Sequence, residues 1–368
     1  MAARELSCIT RAEAFNVIES LKPNFKTFIN SEANAVATQM SAFYERKKRA
    51  WEMLNTSNRK TGKLDTSKIA KYKTSDNIFQ KQSNVKEGAN HGLTIVVDWS
   101  SSMYDVIAEM AQQLLVVMLY CKKSNIKFQV YFFTGDGDIS FSTYNDIPLF
   151  GFNTHAFTFK KMLTHTASIA DIQTFVINMI MYSFDMKGRI KSDVKIPDMA
   201  GTPLQDAAVS AYLAAQEFKK LHNIENNSIM FITDGEANGP IYNTTLIDPY
   251  SNRQYDPVIN KDLMFQINMM CRDAGFKVFN LYIGPSLGLR SLERGCENTV
   301  DIGAISRFVH NNENSVFSIE EYYFYNEFIC IKPDLIKNDS GDIEKMKKTY
   351  SQIGNIINEI LCRSFKIK

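Results

Sequence analysis

Four apolar stretches punctuate the chain. Leu93–Val97 is unbroken by charge, rich in β-branched residues, and stops at Asp98. Ile126–Phe133, Ser228–Asp234 and Lys277–Ile283 repeat the pattern. Short runs of this kind predict strands buried on both faces, as in a parallel sheet. Between them the apolar spacing changes to three and four. Met103–Cys121 is apolar on most sides, with Ile107, Met110, Leu114, Leu115 and Met118, and predicts a helix in a central layer. Ile169–Phe184, Pro203–Leu221 and Leu263–Ala274, the last closed by Gly275, predict three more helices. Strands alternating with helices give an α/β class with a doubly wound, mostly parallel, Rossmann-like sheet.

The flanks follow other patterns. Thr10-Arg11-Ala12-Glu13 has the form of a capping box and predicts a helix ending near Pro23. Ala35–Leu54 predicts a longer one, with Met40, Phe43, Lys47 and Leu54 on its stripe. Asp65–Gln80 reads as a linker docking on the sheet through Ile69, Tyr72, Ile78 and Phe79. Ile139–Ser142 is expected as a short edge strand. Leu246-Ile247-Asp248 and Gln254-Tyr255 are expected to form a hairpin. Outer strands are expected at Asn298–Ile302 or Ser315–Ile319, and at Glu327–Lys332. Ser340–Cys362 carries Ile343, Met346, Tyr350, Ile353, Ile357 and Ile360 in phase, predicting a final helix. The division is 1–90, an N-terminal helical extension and linker; 91–335, the sheet domain, with an insertion near 144–198; and 336–368, the C-terminal helix.

Charge alters this picture little. The net charge of +2 implies no partner, although residues 1–90 carry 16 Lys and Arg against 9 Asp and Glu, and the remainder 26 against 31. So small an excess reads as solvated helix faces, and nucleic acid is not the expected partner. The six cysteines show no Cys-x-x-Cys spacing and read as reduced core residues. There is no membrane-length apolar run and no signal-peptide core, which together predict a soluble, cytoplasmic protein. His155 and His165 fall in an irregular stretch and are assigned no role.

The polar residues after the first strand carry the chemistry. Asp98, Ser100 and Ser102 stand at alternate positions on a short loop at the carboxyl edge of the sheet, where α/β folds bind ligands. Thr202 opens a helix, and Asp234 ends the second buried strand. These five oxygen-bearing side chains are the candidate ligands of a hard divalent cation, Mg2+ or Mn2+. Trp99, lying between them, is read either as an exposed aromatic contact for a partner or as a residue tucked beneath the loop. Other chemistry is excluded. Thr61-Gly62-Lys63 lacks the glycine of a phosphate loop, since position 57 is Ser57. Asp136 and Asp138 lack the remaining ligand positions of an EF hand. No catalytic set is visible, so no turnover is expected.

Asp98-x-Ser100-x-Ser102 followed by Thr202 and Asp234 resembles the metal-ion-dependent adhesion site of von Willebrand factor A domains. The resemblance implies that Ser100, Ser102 and Thr202 hold the ion directly, with Asp98 and Asp234 behind them, and that a partner supplies an Asp or Glu carboxylate. Many family members have Gly where Ser101 stands. The stretch Ser41–Gly284, with its Thr-Gly-Lys-Leu-Asp and Tyr-Lys-x-x-Asp-x-Ile-Phe pieces, is similar to the cobaltochelatase T-subunit-like (CobT-like) proteins of tailed bacteriophages. That resemblance implies an adaptor for a MoxR- or cobaltochelatase S (CobS)-type AAA+ ATPase. Its alternatives are a non-catalytic subunit of a cobalt or magnesium chelatase and a structural virion protein.

Overall fold

A computed structural model describes residues 11–21, 24–54, 56–57, 65–74, 82–83, 90–135, 148–149, 152–153, 157–186, 201–233, 245–256, 263–283, 316–320, 326–331 and 356–357. Two N-terminal helices, α1 (Arg11–Leu21) and α2 (Ala33–Leu54), precede the sheet. The alternation then runs β1 (His91–Asp98), α3 (Ile107–Lys123), β2 (Lys127–Gly135), β3 (Phe157–Thr164), α4 (Ile169–Met186), α5 (Leu204–Leu221), β4 (Asn226–Thr233), α6 (Leu263–Asp273), β5 (Lys277–Ile283), β6 (Val316–Glu320) and β7 (Glu327–Ile331).

The seven strands form one sheet in the order β6-β7-β5-β4-β1-β2-β3. The pairs β7-β5, β5-β4, β4-β1 and β1-β2 are parallel, and the two edge strands are antiparallel to their neighbours. The order reverses between β1 and β4, the switch point at which a doubly wound sheet opens a crevice at its carboxyl ends.

Period-two alternation sorts the core into two layers. Leu93, Ile95 and Val97 of β1 face a cluster with α3 and α4, whereas Val96 faces the layer of α5 and α6. α1 and α2 pack in turn on α4 and α3, so α3 lies between the sheet and a second helical layer. That position explains its sequence: Ile107 and every residue from Glu109 to Cys121 are buried. The buried stripe of α2 is Val36, Ala37, Met40 and Tyr44, and the expected Phe43 and Lys47 lie on its flank, only partly covered. Cys121 and Cys271 are free and buried, and burial pushes both thiols up, away from reactivity.

Three expectations are corrected. Ile69 and Tyr72 do not dock: they are 41% and 60% exposed, on a 3-10 turn organised by its own Asp65, which accepts hydrogen bonds from the Ser67 amide and hydroxyl and pairs with Lys68 at 3.2 Å. The helix expected from Met103 begins at Ile107, because Ser101–Asp105 winds as a 3-10 turn first. The strand beside β2 is Phe157–Thr164, in a stretch expected to be irregular. Its register skips Met162, pairing Val130 with Leu163 and Tyr131 with Lys161, and this bulge breaks the alternation that would reveal a strand. Lys160 and Lys161 on this edge strand are exposed.

The hairpin pairs Leu246–Ile247 with Gln254–Tyr255, and α6 is followed by Gly275 at φ 78°, the left-handed conformation of a helix end. The expected β6 and β7 are present. Ile78, Phe79, Ile139–Ser142 and Asn298–Ile302 lie outside the described residues, as does Ser340–Cys362 apart from the helical Ile356 and Ile357. Ile357 is buried in the α3 and α4 layer.

His91, at the start of β1, is 4% exposed, with the Tyr44 ring edge-on at 5.8 Å. Burial, then Lys277 and Lys48, lower its pKa to about 4. The unfolded chain takes up this proton near pH 6.5, while the folded protein resists it until about 4. Stability is therefore full above 6.5 and drains as pH falls through that window, by about 3 kcal/mol. Urea midpoints at pH 7 and pH 4.5 should separate less in His91→Phe than in the wild type. Equal separation would remove His91 as the cause.

Candidate metal centre

Asp98 ends β1 at the switch point and is fully buried. By alternation it faces the same side as Thr94 and Val96, the side covered by α5. Its Oδ1 accepts the Ser100 N–H at 2.9 Å, and its Oδ2 accepts the Thr233 hydroxyl at 2.6 Å. Both oxygens are thus oriented before any ion arrives. Ser100 is also buried, and its Oγ lies 2.9 Å from the Oγ of Ser102, which is exposed. The polar groups therefore run from a buried carboxylate through the buried Ser100 to Ser102 at the surface.

Thr202 comes from the loop before α5 and is 9% exposed. It is held by a backbone clasp. The Gly135 N–H at the end of β2 donates to the Gly201 carbonyl at 2.8 Å. A Cβ at Gly135 would lie 3.0 Å from the Gly201 nitrogen and 3.1 Å from its Cα, contacts with backbone that cannot swing aside. β2 is joined to the Asp98 loop by the Trp99 N–H, which donates to the Phe133 carbonyl at 2.8 Å. Deeper in the layer, Gln129 donates to the Ala214 carbonyl and Asn227 to the Ala215 carbonyl, which fixes α5 along its axis. Pro203, not Thr202, is the N-cap of α5, and among the described residues no side-chain capping bond forms there.

The donor set fits a small hard cation. Octahedral Mg2+ with bonds of about 2.0–2.1 Å has cis oxygens about 2.9 Å apart. The Ser100 and Ser102 hydroxyls are hydrogen-bonded to each other at 2.9 Å, a separation that also equals such an edge. Among the described residues no three His, Cys, Asp or Glu side chains gather as ion ligands. Asp234 follows Thr233 in the chain and lies outside the described residues. Asp98, Ser100 and Ser102 form one hydrogen-bonded unit, and Thr202 stands on the loop clasped to the neighbouring strand.

Trp99 is not a surface contact. It is fully buried, stacked on Phe132 at 4.7 Å and tilted against Tyr182 at 5.4 Å. It continues the β1 alternation one step beyond the strand, on the face of Ile95 and Val97, and that face is core. Of its two readings, the tucked one holds.

Two residues here were missed. Thr233 holds the second oxygen of Asp98, and its signal was a hydroxyl in phase with the strand just before Asp234. Asp206, one turn into α5 from Thr202, reads as a first-turn acid on a helix dipole. It is instead 3% exposed, and its Oδ1 has no hydrogen-bond partner among the described residues. Burial raises its pKa to about 7.

No family model matches the chain, and no curated protein matches it. Several solved structures are remotely similar. The conserved hypothetical protein BatB from Bacteroides thetaiotaomicron is 16% identical, with a TM-score of 0.30, over 53% of this chain and 67% of that one. The pilus adhesin SpaC from Lactobacillus rhamnosus GG is 13% identical, with a TM-score of 0.36, over 78% of this chain and 31% of the adhesin. Proximal thread matrix protein 1 from the mussel byssus is 12% identical, with a TM-score of 0.30, over 72% of this chain and 46% of its own length. Likenesses this remote bear on neither fold nor site, which rest on the register and distances above.

Proposed function

We propose that the chain is a von Willebrand factor A-like protein-binding module that holds Mg2+ at the carboxyl edge of its sheet. Ser100, Ser102 and Thr202 take the ion directly, while Asp98 and Asp234 orient those hydroxyls and bound water. A mostly neutral set of ligands leaves the ion much of its charge, so a carboxylate from a partner completes the shell. The observation that carries this reading is the pair of hydroxyls one octahedral edge apart above a buried carboxylate whose two oxygens are already oriented. The module acts without turnover, as an adaptor between a MoxR- or cobaltochelatase S-type AAA+ ATPase and a client protein. The adaptor role and the bacteriophage setting rest on the sequence resemblance.

An ion that binds only the folded chain stabilises it by about 2.7 kcal/mol at a hundredfold excess over Kd. Mg2+ should therefore raise the denaturation midpoint of the wild type, and much less that of Ser100→Ala or Thr202→Ala. Equal rises in all three would end the metal reading. With the ion established, capture of a purified MoxR-type ATPase should be lost with EDTA and in Thr202→Ala. Capture indifferent to both would leave a metal site without the adaptor role.

A further inference from the structure

The opposite edge of the sheet, where β1, β2 and β4 begin and α3 and α5 end, carries a second cluster. His165 follows β3, and His222 is the C-cap of α5. Their rings are perpendicular, with centroids 4.7 Å apart, and Phe218 lies edge-on to His222, also at 4.7 Å. The His165 amide donates to the Phe128 carbonyl at 2.7 Å, which ties that residue to the start of β2. Two ammonium groups close on the same place. Lys122 Nζ donates to the His165 carbonyl at 2.7 Å, and Lys127 Nζ to the His222 carbonyl at 3.0 Å. The Asn90 amide shares the His222 carbonyl at 3.3 Å and takes that of Asn223 at 3.1 Å.

The carbonyls at the end of α5 are thus covered, and each ammonium has spent one of its three donors. The His165 Nδ1 is buried and has no hydrogen-bond partner among the described residues. The charges acting on His165 are His222, Lys127 and Lys122; those acting on His222 are Lys127 and Lys161. All are cationic or become so on protonation. Among the described residues no carboxylate is one of the charges acting on either ring; Asp171 accepts the Ser168 amide and hydroxyl, and Glu225, whose amide donates to the Asn90 carbonyl, is an exposed acid at the same edge. Burial first, and then these cations, lower both histidine pKa values, so the pair is neutral at neutral pH. A metal cation would meet the lysines. An anion would be drawn to them and would stabilise the protonated rings.

We propose that His165 and His222, ringed by Lys122, Lys127 and Lys161, form a proton-coupled site for a phosphate-type oxyanion. Phosphate offers several strong acceptor oxygens and a charge near −2, suited to two imidazolium donors and the unspent ammonium protons. The site is independent of the metal centre at the other edge.

Titration of the imidazole Hε1 resonances by NMR, with and without inorganic phosphate at matched ionic strength, tests it. Phosphate should raise the apparent pKa of His165 and His222 by about one unit or more, equivalent to tenfold tighter binding per proton. His91 starts β1 at the same edge but is buried on the opposite face of the sheet against Tyr44, so it serves as the internal reference and should move much less than the pair. In Lys127→Gln the shifts should shrink with the His91 resonance unchanged. A phosphomonoester and a dinucleotide phosphodiester run in parallel separate a terminal phosphate from a nucleic-acid backbone, and a response to either supports the site. Shifts that chloride reproduces, or none at all, would overturn it.

Discussion

Trp99→Ala should cost about 3–5 kcal/mol of stability, the usual range for emptying a large aromatic site in a packed core. The loss should not stop at stability. Trp99 is flanked by Asp98 and Ser100, and its backbone N–H ties the loop to Phe133. Its ring is held between Phe132 and Tyr182. With the indole removed, the loop keeps its backbone ties but loses the ring packing beneath it, and the Ser100 and Ser102 hydroxyls are held less firmly at their separation. Mg2+ should therefore stabilise Trp99→Ala less than the wild type, whereas Trp99→Phe, which keeps an aromatic stack, should recover most of both effects. Denaturant midpoints with and without Mg2+ measure the two together. A destabilised Trp99→Ala with an undiminished Mg2+ response would show that the loop holds its shape without the core beneath it.

Asp206→Asn should stabilise the protein, and only at higher pH. Its pKa rises from 3.8 unfolded to about 7 folded because burial penalises the carboxylate. Between those values the folded protein holds a proton that the unfolded chain releases. Stability accordingly declines as pH rises through that window, and the penalty is complete above about 7, on the order of 4 kcal/mol. Asparagine keeps the shape without the charge. Midpoints for variant and wild type should nearly coincide at pH 4 and separate in favour of the variant at pH 8. A constant difference at both values would mean that the charge is balanced by a neighbour.

Much of the fold was legible because both faces of the sheet are covered. Buried parallel strands must be continuously apolar, and Leu93–Val97, Ser228–Ile232 and Lys277–Ile283 declare themselves for that reason. The all-round apolarity of α3 likewise announced a helix between two layers. β3 was not legible, because its bulge at Met162 breaks the alternation and its lysines resemble a loop. Ile69 and Tyr72 misled because apolarity alone does not say whether a docking surface is within reach. At the site, spacing indicated which hydroxyls share a loop, since Ser100 and Ser102 stand two apart just beyond the end of a strand. It could not indicate the Thr233 bond to Asp98 or the Gly135–Gly201 clasp, which depend on strand register. Nor could it rank Trp99 as buried without knowing that strand geometry continues one residue past Asp98.

The edge strand β3 limits how anything else can join this protein. Two adjacent exposed ammonium groups and a bulged register deny an incoming chain the flat, evenly spaced ladder it would need to extend the sheet. Copies of the protein meeting along this margin would set lysine against lysine, so fibre-like stacking from this side is discouraged.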